Sequence, residues 1–363
     1  MAISGGLDSA ALVCFTRATC PDLSLHLLHL YSSSVPVADE RSKAIAVAEK
    51  AGLTIAFLDI DPHTYTNDLG CQFESISFTP TKSFLTLGLT HAMRRKFSDS
   101  GISELLSGDG GDQLFLRFRT PSLIKELVAE GGRSGRYVRH LADYAALNSE
   151  SFWTISWDYL TGQTAARISN LYTARTPSVP FLNGAFCPIA GDAVVSGSTR
   201  PWRSESRKFQ FFGLRDSELN DCDIAGVPVR ERKPFLYWPL IKYCMSLRRS
   251  LHTHEGRDRA LERAAFREFL PDVVYCSEAK GGADDPRNRF DHAQLADALL
   301  DGELVRRGLL EKDQLRNVEN QAIRTDEACV LARATTIESW LNRVRARQHH
   351  LNENSGSSPS AGR

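Results

Sequence analysis

Ser4-Gly5-Gly6-Leu7-Asp8-Ser9 sits between a short apolar start, Met1-Ala2-Ile3, and an apolar helical run over 10–16. A glycine-rich turn that leaves a strand and opens a helix gathers backbone amides and the positive end of the helix dipole at one point, which favours an anion. Gly5 and Gly6 let the backbone approach phosphate oxygens closely. Ser4 and Ser9 supply hydroxyl donors, and Asp8 brings a carboxylate whose phosphate-side role is to hold Mg²⁺. The stretch has neither the Gly-Lys-Ser/Thr of a Walker loop nor the G-x-G-x-x-G spacing of a dinucleotide fold. An ordinary glycine-rich helix cap is the rival reading. So short an opening run is brief for a central strand and reads as a truncated one.

A second turn of the same kind, Ser107-Gly108-Asp109-Gly110-Gly111-Asp112-Gln113-Leu114-Phe115, follows the strand-like run ISELL at 102–106. In a parallel sheet both turns open at the carboxyl ends of their strands, the usual ligand crevice, so Asp8 and Asp112 are expected to share a metal ion. Runs at 25–31 (LHLLHLY) and 53–60 (LTIAFLDI) read as further strands. Segments 39–51 and 81–97 read as helices, the first with Ala44, Ile45, Val47 and Ala48 on one stripe. The unit is βαβ, repeated, which makes the class α/β with a parallel sheet. After Glu130 the loop GGRSGR breaks the pattern, and the rest reads as mainly helical. The expected organisation is a phosphate-binding core over 1–130, a mainly helical region over 131–350 that shapes the acceptor pocket, and a disordered polar tail over 351–363.

Lysine plus arginine equals aspartate plus glutamate at 44 each, so no global positive field draws the chain onto nucleic acid or anionic lipid. The eight cysteines are scattered without Cys-x-x-Cys spacing and read as reduced thiols, and no apolar run nears the ~18 residues of a membrane span. A cytoplasmic location is expected. The histidines form no metal-ligand pattern, and His252 with His254 reads as a surface pair. Trp202, Tyr237, Trp238 and the arginines over 257–263 read as packing and surface residues, with a peptide groove as the alternative.

The two glycine-rich turns resemble those of the PP-loop ATPases, specifically the synthetase domain of the asparagine synthetase family, with its SGG-x-DS and SG-x-G-x-D-E-x-F motifs. Arg232-Lys233-Pro234-Phe235-Leu236 is similar to that family's R-x-P-F-L-D, Leu270-Pro271 to its Leu-Pro, and Lys280-Gly281 to its Lys-Gly. The resemblance spans roughly residues 1–345 and implies a HUP-like, adenine nucleotide alpha hydrolase-like core. It implies that Ser4, Gly5, Gly6, Asp8 and Ser9 cradle the pyrophosphate of ATP and that Gly108 lies near adenine or ribose. It further implies that Asp8 and Asp112 bind Mg²⁺, and that Lys280 is the catalytic lysine offsetting charge on the α-phosphate. A solvated surface lysine is the plain alternative for Lys280.

Four positions depart from the family pattern. Asp109 stands where asparagine synthetases have Glu and β-lactam synthetases have Tyr; Gln113 replaces a Glu, Tyr237 the Asp after Pro-Phe-Leu, and Ser277 an Arg before the lysine. Together they weaken aspartate as the substrate. The spellings GGDQLF, RKPFLYWPL and GRDRALERA are more similar to the lasso-peptide macrolactam synthetases. That resemblance implies adenylation of an acidic side chain in a precursor peptide, attack by the peptide's own amine, and a protease or leader-binding protein as partner. Asp109 then orients or deprotonates the amine, or merely caps the following helix. The remaining readings are an asparagine synthetase lacking its glutaminase domain, a tRNA-modifying enzyme, disfavoured by neutral charge and unpaired cysteines, and a non-catalytic nucleotide-binding subunit.

Overall fold

The computed structural model describes residues 1–33, 39–60, 75–76, 80, 87–117, 121–132, 136–163, 179–183, 204–219, 223–224, 227–277, 291–320 and 323–356. Strands β1 (Ala2–Ile3), β2 (Leu27–Tyr31) and β3 (Ile55–Asp59) form a parallel sheet in that order, joined by α1 (Leu7–Thr19) and α2 (Arg41–Ala51). These are the two βαβ units expected from the alternating pattern. The two residues of β1 pair with Leu28 and His29.

The buried face of α2 is Ala44, Val47, Ala48 and Ala51, spaced for one side of a helix. Ile45, expected on that stripe, does not join it. It is instead 40% exposed, because one residue past Ala44 turns it about 100° off the buried face. Gly52 ends the helix at φ +63°, a left-handed conformation that glycine adopts without a Cβ penalty.

Beyond the first sheet, β4 (Ser75–Ile76) pairs antiparallel with β6 (Asp223–Ile224), and β5 (Glu104–Leu106) pairs parallel with β7 (Arg230–Arg232). Strand β7 falls in the stretch expected to be helical. Its sequence, RER, has no apolar alternation; it is recruited by the ladder with β5, in register Leu106 to Arg232. Ser107 continues the ladder by donating its N–H to the Arg232 carbonyl at 2.9 Å. Pro234-Phe235-Leu236 thereby emerges beside the second glycine-rich turn.

The helices are α3 (Leu87–Asp99), α4 (Gly111–Leu114), α5 (Pro121–Gly131), α6 (Arg136–Leu147), α7 (Phe152–Leu160), α8 (Glu205–Leu219), α9 (Trp238–Ser246), α10 (Ala260–Phe266), α11 (Asp272–Tyr275), α12 (His292–Leu300), α13 (Glu303–Arg306), α14 (Lys312–Arg316) and α15 (Thr325–Gly356). Helix α15 runs past 351, where the tail was expected to begin, since extending a helix costs far less than starting one. No described helix is long and apolar enough to cross a membrane.

The core that positions the site is assembled from distant segments. Leu7, Ala10, Ala11 and Val13 of α1 pack with Leu114 and Phe115, and with Phe235, Ile241, Leu270 and Val274 from the second half of the chain. Burying one such leucine or phenylalanine contributes about 1.5–3 kcal/mol, so the cluster fastens residues 234–275 onto the first βαβ unit. Separate clusters hold α5–α7 together, and α12–α15 together.

His252, expected at the surface, is fully buried; His254 is exposed as expected. The chain around His252 is pinned at the core, with Ala260 donating its N–H to the His252 carbonyl at 3.0 Å. Burial, with the Arg249 charge beside it, pushes the imidazole pKa down from 6.5 to about 4. A depressed histidine is neutral when folded and takes a proton only on unfolding. Its contribution is therefore complete above about pH 6.5 and is lost as the pH falls towards about 4. Urea unfolding across that range should show the wild type losing on the order of 3 kcal/mol more than His252→Gln. Parallel pH dependence of the two proteins would contradict the assignment.

Candidate active site

The first turn is closed on itself. Ser4 N donates to Ser9 Oγ at 3.2 Å, Gly6 N donates to Ser4 Oγ at 3.2 Å, and Ser9 Oγ donates to the Gly6 carbonyl at 3.2 Å. Gly5 sits at φ +78°, where a Cβ would fall 2.9 Å from that of Glu40. Both the conformation and the space demand glycine. Helix α1 starts immediately after, so its first amides face the turn.

The second turn lies directly against the first. A Cβ on Gly108 would stand 2.9 Å from Ser9 N, and one on Gly111 would stand 2.7 Å from Asp8 Cγ. The absent side chains are what let the loops touch. Asp109 accepts at Oδ1 from Gly110 N at 3.1 Å and forms an ion pair through Oδ2 with Lys233 Nζ at 3.2 Å. Lys233 is itself mostly buried and also donates to the Ser217 carbonyl at 3.0 Å.

Asp8 and Asp112 meet as expected, and a third residue joins them. Arg259 Nη1 lies 3.0 Å from Asp8 Oδ1 and 2.9 Å from Asp112 Oδ1, with all three side chains largely buried. The other oxygen of Asp112 accepts from Arg117 at 2.9 Å. Arg259 adopts φ +52°, a conformation that costs a non-glycine residue roughly 1–2 kcal/mol. Burial opposes its charge, but the fields of the surrounding carboxylates, Asp8 first and then Asp112 and Asp258, more than offset this and raise its pKa.

One turn further along α10, Glu262 is fully buried. Burial first, and then the Asp8 charge, push its pKa well above the carboxylate range. Both effects favour its neutral form over a further negative charge beside Asp8. Arg263, also buried, donates to the carbonyls of Tyr275 and of Ser277, the latter at 2.9 Å. It thus anchors the chain just ahead of Lys280, which lies outside the described residues.

Among the described residues no three His, Cys, Asp or Glu side chains gather as a metal cage. Two carboxylates within reach of one cation nevertheless suit Mg²⁺, which keeps waters and completes its shell with substrate phosphates.

The asparagine synthase family matches residues 1–342. The chain belongs to this family. None of the curated proteins matches it. As an asparagine synthase-type protein it is an ATP-dependent amide ligase, with ATP as its substrate.

Seen in this ligase, the arginines over 257–263 need correction: Arg259 and Arg263 are neither surface residues nor mere packing. The signal available was Arg259-x-x-Glu262-Arg263, opposite charges at spacings that share a helix face. Tyr237 and Trp238 are exposed, and Trp202 lies outside the described residues.

The loop contact yields a direct test in this ligase. In Gly108→Ala the new Cβ would meet backbone atoms of Asp8 and Ser9, which cannot rotate away. Denaturant unfolding should show a loss of about 1–3 kcal/mol, and titration with a fluorescent ATP analogue should show affinity reduced about tenfold or more. Unchanged nucleotide affinity in a folded Gly108→Ala protein would refute the loop contact as part of the site.

Proposed function

We propose that this ligase forms a macrolactam in a ribosomal precursor peptide, through an acyl-adenylate. The observation that carries the reading is the convergence of Asp8 and Asp112, from two glycine-rich turns, on a single cation position. In the first step an acidic side chain of the peptide attacks the α-phosphorus of ATP; the bond to pyrophosphate breaks, leaving the acyl-adenylate. In the second the peptide's amine attacks the acyl carbon, AMP leaves, and the amine gives up a proton.

The chain's own residues divide this work. Ser4, Gly5, Gly6, Asp8 and Ser9 line the pyrophosphate side, where the first amides of α1 and its dipole favour the departing anion. Asp8 and Asp112 would hold Mg²⁺, which supplies charge neutralisation to the phosphates. Gly108 borders the nucleotide between the loops. Lys280 carries the charge that offsets the α-phosphate. Asp109, paired with Lys233 and still partly exposed, would orient the attacking amine.

The peptide reading draws support from the acceptor side. Tyr237 and Trp238 follow the turn that lies against Gly110, and are 66% and 62% exposed. Two exposed aromatics beside the site suit an extended substrate better than a free amino acid. A cytoplasmic location, and a protease or leader-binding partner, belong to the same proposal.

ATP–pyrophosphate exchange on purified protein, with a core peptide bearing an acidic side chain set against free aspartate, tests it. Peptide-dependent exchange that falls about a hundredfold or more in Asp112→Asn is expected. Exchange with aspartate alone would make the chain an asparagine synthetase, and none with either carboxylate, from folded protein, would make it non-catalytic.

A further inference from the structure

The oxygens that Arg259 engages are those a shared metal ion would take. One guanidinium nitrogen contacts Oδ1 of both Asp8 and Asp112, and Arg117 holds the other oxygen of Asp112, so a cation held by these two carboxylates would contend with the guanidiniums for them. The arginine is held there firmly. Its side chain is 7% exposed, its backbone sits in the left-handed region at the start of α10, and Asp258 Oδ1 lies 3.5 Å from its Nε.

We propose that Arg259 is the positioning residue of the metal site: it holds the two carboxylates together across the loop contact and sets their affinity for a divalent cation by competing for the same oxygens. The inference rests on the functional reading above, in which Asp8 and Asp112 are the metal carboxylates. Two ionised carboxylates brought this close repel one another, and the guanidinium cancels that repulsion in the assembled site. The same contact must be broken when metal binds. A bare cation has to displace a buried, charge-assisted pair, whereas a cation arriving with a polyanion brings charge that the displaced guanidinium can face. Metal and nucleotide binding are thereby coupled in the positive sense, with each favouring the other. A purely architectural arginine predicts the opposite for its removal: a loosened site that binds metal more weakly.

Calorimetric titration with Mg²⁺ alone, and with Mg²⁺ in the presence of ATP, separates these on the full chain. Arg259→Gln should bind bare Mg²⁺ at least about tenfold more tightly than wild type, with a smaller gain on adding ATP. Equal or weaker binding of bare Mg²⁺ by Arg259→Gln, while Mg²⁺ with ATP still binds the wild type, overturns the proposal and leaves the functional reading standing. Mg²⁺ binding by neither protein, with or without ATP, removes both. If Arg259→Gln fails to fold, Arg259→Lys is titrated in its place. Its ammonium, on a shorter stem and without the fixed plane of a guanidinium, holds the two oxygens less firmly, so bare Mg²⁺ should bind about threefold more tightly, and no gain overturns the proposal.

Discussion

Two backbones in contact, with no side chain between them, govern this molecule. Gly108 lies on the amide of Ser9, and Gly111 lies on the carboxylate of Asp8. A Cβ at either place would separate the turns, and Asp8 and Asp112 would then be out of reach of one guanidinium. The resulting charge cluster is an expensive arrangement for stability alone, because desolvating an ion pair offsets most of what its Coulomb attraction returns. Its persistence in a largely buried setting, with a left-handed arginine at its centre, is the signature of a site rather than of a fold.

The rest of the chain serves that contact. The β5–β7 ladder brings Lys233 to Asp109 and sets Leu236 against Gly110. The apolar cluster joining α1 to Phe235, Ile241, Leu270 and Val274 carries α10 and α11 onto the first βαβ unit, and with them Arg259 and Arg263. Neither connection is local in sequence. Asp8 and Arg259 are 251 positions apart, so the site exists only once both halves of the chain have packed.

This separation explains what was legible beforehand. SGGLDS and SGDGGD declare themselves because glycine and acid in a strand-to-helix turn carry their chemistry locally, and the runs around them alternate as strands and helices must. The meeting of Asp8 and Asp112 was expected from strands of one parallel sheet, whereas β1 and β5 lie in separate sheets and the glycine contact is what joins their turns. Strand β7 did not follow, since Arg230-Glu231-Arg232 has no apolar alternation and takes its conformation from its partner. For Arg259 only the Arg259-x-x-Glu262-Arg263 spacing gave a faint sign. Within GRDRALERA it resembles any surface arginine, and its role depends on acids from two remote loops. His252 misled for the same reason: its burial is set by remote packing, and nothing beside it in the sequence announces it.

The neutral Glu262 completes the electrostatic logic. Were it ionised, it would add a further negative charge beside Asp8 and Asp112, and Arg259 would be shared more widely. Burial and the nearby Asp8 charge keep its proton in place instead. The neutral form is favoured on both counts, and Arg259 stays directed at Asp8 and Asp112. The site thus turns two carboxylates from two remote loops towards one cation position, with the third buried one turn further along α10.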